Sequence, residues 1–174
     1  MALTISSESL LVDGSDDLFR QMVHDSLGFA VRLQEIRNKL GEVIGLSGPA
    51  YSILIAIDHL ENEGEVGVSR VSDHLHLSGA FVTIEVSKLA KAGLVDKRSH
   101  PEDKRRVILT VTQRARALLA ELVATQQPVN DTIFGGLDKK EFLAFARMIS
   151  ALVGGTEEAL ALLNLRAEQR RRQA

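Results

Sequence analysis

Thr83, Ser87 and Lys88 share a helix-length segment with Phe81, Val82, Val86 and Leu89, and helical spacing puts the polar three on the face opposite the apolar four. A helix fits the DNA major groove, where hydroxyl and ammonium groups meet base edges, so these three are candidate base-reading residues. Ser78 and Gly79 begin the same segment, and the positive end of a helix suits a backbone phosphate. Further along, Lys104, Arg105 and Arg106 crowd into a polar turn after Pro101, with Arg98 on its approach. Such a cationic loop suits phosphates or a narrow minor groove. Asp103 is out of character there, because a carboxylate facing DNA is repelled; the expectation is that it orients Arg105 or caps the turn. An ordinary solvated surface would carry many of the same residue types.

Charge along the chain is uneven. The net charge of −2 hides an acidic first segment, residues 1–68, with four Lys or Arg against eleven Asp or Glu. Residues 69–117 reverse this with ten against five, and residues 118–174 balance at seven against seven. Phosphates respond to the nearby field rather than to the total, so the middle segment is the one that could face a duplex. The absence of cysteine excludes disulfides, thiolate metal sites and thiol-based sensing. Five histidines, at 24, 59, 74, 76 and 100, lack metal-ligand spacing, and no glycine-rich phosphate loop or nucleophile elbow is present. The expectation is therefore no catalytic residue, no metal and no cofactor. With no run of eighteen apolar residues and no signal-like N-terminus, the chain reads as cytoplasmic, without a membrane.

The elements that must position these residues follow from period and punctuation. Phe19, Met22, Ser26, Phe29, Leu33, Ile36, Leu40 and Val43 alternate three and four apart, which predicts a helix over about 16–44 whose stripe needs a partner. Gly45 ends it; Ser47 caps the next, with Pro49 in its first turn and Ile53, Leu54, Ile57 and Leu60 apolar. Glu65–Val68 reads as a stub of strand. Ser69 and Ser78 are expected to cap two short helices, the second ending at Gly93, in the proportions of helix-turn-helix. Residues 94–98 and 107–111 read as a β-hairpin with a charged tip. Thr112 then starts a helix that Pro128 kinks or interrupts, Gly135-Gly136 is a break, and Leu137 to Phe142 reads as a hydrophobic staple around an Asp138–Glu141 capping box. The fold class is mainly α (α+β), a winged helix-turn-helix flanked by long helices. Its expected parts are a flexible arm (1–15), a helical dimerisation module (16–45 and 118–166), a DNA-binding lobe (46–117) and a frayed basic tail (167–174).

With this order of elements, the run from Ser47 to about Leu119 resembles the MarR family of bacterial regulators. The resemblance rests on Leu75-His76-Leu77-Ser78, on Val82-Thr83, on Leu89-Ala90-Lys91-Ala92-Gly93-Leu94-Val95, and above all on Asp103-Lys104-Arg105 with Val111-Thr112 in the wing. Ile84 departs from it, standing after the threonine where an arginine is frequent, with Glu85 next, and Ala115 replaces a common glycine. The resemblance implies a cytoplasmic, nucleoid-associated homodimer that binds double-stranded DNA, as a repressor at a palindromic operator. It also implies a small aromatic or hydrophobic anionic ligand where the dimer module meets the DNA-binding lobe. Phe29, Arg32, Tyr51, Ile55 and His59 are the candidate lining, since a buried cation beside aromatic surface suits an anion; a packed helix junction with one snorkelling arginine is the alternative. For the whole chain the alternative is a winged helix that contacts proteins and does not bind DNA.

Overall fold

The structure, a computed structural model, describes residues 2–173. The described residues form α1 (Asp17–Val43), α2 (Gly48–Leu60), α3 (Val68–Leu75), α4 (Gly79–Lys91), β1 (Val95–Ser99), β2 (Val107–Val111), α5 (Gln113–Phe134) and α6 (Lys139–Gln173), with 3-10 turns at Glu8–Leu10 and Glu61–Glu63. They divide after Gln126 into two compact units, so that α5 belongs to both. The mainly helical class with one small antiparallel sheet is as expected.

The core of the first unit is built around α2. Ile53, Leu54 and Ile57 have no exposure, and they pack with Val71 of α3, with Val82, Val86 and Leu89 of α4, and with Leu109 and Val111 of β2. Ser47 caps α2 by accepting from Ala50 N at 3.3 Å, as its position suggested. A smaller cluster, Leu40, Tyr51 and Leu122, joins α1, α2 and α5. Close approach of α1 to α2 requires glycine at position 48: a Cβ there would lie 1.7 Å from Asn38 Oδ1 and 3.1 Å from Asn38 Cα.

Helix α4 ends as Gly93 predicted. That residue takes φ 70°, and Leu94 N donates to Leu89 O at 2.9 Å, closing the left-handed cap. The strands pair antiparallel with Val95 opposite Val111 and Ser99 opposite Val107. In the second unit Asp138 and Glu141 form the anticipated reciprocal box, with Glu141 N to Asp138 Oδ1 at 2.8 Å and Asp138 N to Glu141 Oε2 at 2.9 Å. Leu137 and Phe142 line one hollow beside it.

Several local expectations are corrected. Ser69 does not cap α3; the helix starts two residues earlier, at Val68 behind Gly67, which has no side chain to offer. The stub 65–68 is not a strand, although Val66 O accepts one bond from Leu109 N at 2.8 Å. Helix α5 continues through Pro128, and α6 continues through Gly154-Gly155 to Gln173, so the expected frayed end is helical as far as the structure describes it. Residue 174 lies outside the described residues. Phe81, placed in the buried stripe of α4, is 36% exposed at its border.

Residues 2–15, expected as a loose arm, are tied to the start of α1. Asp16 is 2% exposed; its Oδ2 accepts from Thr4 N and Thr4 Oγ1, both at 2.6 Å, and its Oδ1 accepts from Arg20 Nη2 at 2.7 Å. Those bonds, the Arg20 one first, hold the carboxyl far below the ordinary value of 3.8. The side chain that heads the helix is thus spent on the arm instead of capping α1.

Gly48→Ala is expected to destabilise the first unit by about 1–3 kcal/mol, because Asn38 must be displaced at the α1–α2 crossing. Thermal or urea unfolding of the variant beside the parent measures this.

Candidate nucleic-acid interface

Helix α4 owes its orientation to Val82, Val86 and Leu89, each at most 1% exposed, which fix one face on the core. The opposite face is therefore turned outward. Ser78 caps the helix by accepting from Phe81 N at 3.3 Å, and Ser78 and Gly79 are both exposed at its N-terminus. Thr83 is exposed and donates to Gly79 O at 2.8 Å; Ser87, half-buried, donates to Thr83 O at 2.7 Å. Each hydroxyl proton serves the helix, which leaves the oxygen of the exposed Thr83 as an outward acceptor.

Lys88 is not a free cation. Its Nζ lies 2.6 Å from Glu85 Oε1, and Glu85 is only 5% exposed, with Oε2 buried and lacking a hydrogen-bond partner. A carboxylate inside the apolar face of α4 was not anticipated. Position 85 lies three residues after Val82 and four before Leu89, so the helical period itself assigned it to the buried side. Ile84, by contrast, is 56% exposed among the candidate readers.

The wing is fastened from two sides. Val111 N donates to Glu61 Oε1 at 2.7 Å, and Arg116 of α5 bonds both Glu61 Oε2 and, at 2.5 Å, Asp58 Oδ1. On the other side Lys97 Nζ, on the face of β1 shared with Val95, reaches Ser87 Oγ at 3.4 Å and so links strand to helix. Lys97 was missed in the sequence; the period-two alternation from Val95 was the available signal. Arg98 is exposed on β1, as are Lys104, Arg105 and Arg106 at the tip, where the Arg105 side chain is 96% exposed.

Asp103 performs both alternatives set out for it. Its Oδ1 accepts from Arg105 N at 3.0 Å, which caps the turn, and the same oxygen lies 3.7 Å from Arg105 Nε. The carboxylate is directed back into its own loop rather than toward an approaching polyanion.

The candidate ligand residues are only partly brought together. A cavity of about 580 Å³ lies between α1, α2 and the α3–α4 pair, lined by Ile55 and His59 as anticipated, and by Arg37, Ser52, His74, Leu75 and Phe81 among others. Phe29, Arg32 and Tyr51 are not in its wall. Arg32 is exposed on α1 and donates to Gly28 O, while Tyr51 is buried in the smaller core cluster. The arginine at the cavity is Arg37, one helical turn and a residue further on. Its Nε donates to Ser52 Oγ at 3.2 Å, and its guanidinium carbon lies 5.5 Å from the centre of the Tyr51 ring. Burial raises the Tyr51 hydroxyl above its ordinary value, and Arg37 partly opposes the rise. The His59 and His74 rings face each other across 5.8 Å at the rim. Among the described residues no three His, Asp or Glu side chains gather where they could hold a metal.

Two helices joined by a tight left-handed turn at His76, with a hairpin wing behind the second, define a winged helix-turn-helix. Residues 44–106 match the model of the MarR family. Solved structures share the fold. A MarR protein from Peptoclostridium difficile superposes with a TM-score of 0.66 at 17% identity, covering 88% of this chain and 96% of its own. The PcaV transcriptional regulator of Streptomyces coelicolor, solved with its natural ligand, gives 0.57 at 24% identity over 74% and 91%. BpsR of Bordetella bronchiseptica gives 0.55 at 22% identity over 74% and 98%. No curated protein sequence matches the chain.

Proposed function

We propose that this chain is a transcriptional regulator that binds a palindromic DNA operator as a homodimer and is released from it by a small anionic ligand. The observation that carries the DNA half is the joint exposure, on one lobe, of the α4 face with Thr83 and Lys88 and of the wing cations Arg98, Lys104, Arg105 and Arg106. In this reading Ser78 and Gly79 meet a phosphate, α4 enters the major groove and the wing lies along the neighbouring backbone or minor groove. A twofold arrangement sets two half-sites about ten base pairs apart. Repression follows where such an operator overlaps a promoter.

The dimer half rests on apolar surface without cover. On α1, Leu18 and Met22 are 61% and 42% exposed, and on α6 Phe142, Phe145, Met148, Ile149, Leu152, Leu160 and Leu163 are between 36% and 62% exposed. Contiguous apolar faces of this extent mark association sites. In this reading residues 16–45 and 118–166 form a dimerisation module and 46–117 the DNA-binding lobe. By length and composition alone α6 could also cross a membrane, with a mean hydropathy of 1.2 over its most apolar window. Assembly as a soluble dimer that needs no detergent separates the two, and Leu152→Glu is expected to shift sedimentation from dimer to monomer.

The ligand half rests on Arg37, which offers a cation to the cavity beside His59, His74 and the Phe81 ring. A volume near 580 Å³ suits a small organic molecule. A planar aromatic acid fits that lining, the carboxylate on Arg37 and the ring against apolar wall. The structure of BpsR describes regulation of its DNA binding by 6-hydroxynicotinic acid, a compound of this class. Ligand can release DNA only by favouring a conformation that binds the operator less well.

Titration of random-sequence duplex against salt tests the DNA reading: affinity is expected to fall steeply with added salt, and each of Lys104→Ala, Arg105→Ala and Arg106→Ala to lessen the log–log slope by roughly one. Absence of salt-dependent binding would leave the protein-contact reading in its place. Arg37→Ala is expected to leave operator affinity unchanged while raising the dissociation constant for aromatic carboxylates at least about tenfold, as measured by calorimetry.

A further inference from the structure

The wing tip contains one side chain whose environment differs from its neighbours. Ser99, Pro101 and Glu102 are exposed, and so are the three cations that follow Asp103, yet the imidazole of His100 is only 12% exposed. We propose that His100 is the positioning residue of the wing, accepting two backbone amides through Nδ1 and thereby holding the turn that presents Lys104, Arg105 and Arg106. The proposal rests on the DNA-binding reading for its functional consequence, though not for its geometry.

The amides identify which ring nitrogen accepts. Glu102 N and Asp103 N each lie 3.2 Å from His100 Nδ1. Both are donors, so Nδ1 must carry a lone pair, and in a neutral imidazole the proton then sits on Nε2. That nitrogen lies 3.3 Å from Glu65 Oε2, an acceptor that suits it. Each end of the ring has a partner of the complementary kind.

The two ends also join different parts of the lobe. Glu65 leads into Val66, whose carbonyl accepts from Leu109 N of β2, so the Glu65 loop is itself held against the sheet. From His100 the chain passes through Pro101, which has no N–H, and the next two amides both return to the ring. Asp103 continues the pattern by taking Arg105 N on its side chain and Arg106 N on its carbonyl, while His100 N donates to Arg106 O at 3.0 Å. Five amides of the tip thus find acceptors, two of them on His100. Short polar side chains usually take this role by bonding the backbone two and three residues on. Histidine adds a second arm that reaches beyond the turn.

The test uses the full chain and four proteins: parent, His100→Phe, His100→Asn and Glu65→Gln. In alkaline buffer, where imidazoles are neutral, the long-range nitrogen spectrum of the parent is expected to show His100 protonated on Nε2; protonation on Nδ1 would overturn the proposal without any variant. His100→Phe, which keeps bulk and loses both arms, is expected to speed exchange of the Glu102 and Asp103 amides about tenfold and to weaken duplex binding about five- to tenfold. His100→Asn retains an acceptor close to Nδ1 and is expected to recover most of both. Glu65→Gln, which still accepts from Nε2–H, is expected to stay near the parent. Unchanged exchange and affinity in His100→Phe would sink the idea, and so would equal loss in Phe and Asn variants. If the parent itself shows no salt-dependent duplex binding, the DNA reading fails, whereas the tautomer and the exchange rates still decide the role of His100 in the wing.

Discussion

Ile53, Leu54 and Ile57 of α2 are closed off from water on every side, and α1, α3, α4 and the wing strand β2 are arranged as the lids that close them. Each such side chain contributes about 1.5–3 kcal/mol on burial, against a net stability of about 5–15 kcal/mol for an ordinary domain. No lid is expendable on that scale. The placement of α4 and the hairpin, which carry the candidate interface, is therefore a by-product of covering α2. Their outward faces are free to vary because their inward faces do the folding, and this is the division of labour that lets a winged helix carry different surface chemistries.

Most elements were legible because apolar period and punctuation agreed. Ser47, Ser78 and Gly93 each sit where a cap is needed, and Asp138 with Glu141 forms a box that spacing alone identifies. The misses have physical causes. Ser69 was read as a cap because serine favours that role, but Val66 had to be buried and bonded to Leu109, which drew the chain into α3 behind Gly67. Pro128 was read as a kink or interruption from local propensity, yet the helix runs through it.

The candidate site was legible in part for a different reason. Exposure of Thr83, Lys88 and the wing cations follows from which residues of α4 and the hairpin are apolar, so it could be inferred from one element at a time. The cavity could not. Choosing between Arg32 and Arg37 depends on the rotation of α1 about its axis where it meets α2, and that is set by the tight approach at Gly48 and Asn38 rather than by any period within α1. His100 was invisible for the same reason, since the meaning of its ring depends on Glu65, thirty-five positions away in sequence.

The pairing of Lys88 with Glu85 bears on selectivity. A lysine that already has its own counter-ion gains less from an arbitrary phosphate than a bare one, because the internal carboxylate must be given up or shared. In the DNA-binding reading, indiscriminate attraction to nucleic acid is thereby discounted at the centre of α4 and left to the wing, where the Arg105 side chain is almost wholly in solvent. In the DNA-binding reading, such a protein gives up some grip on bulk chromosome and searches it with less time lost at wrong addresses.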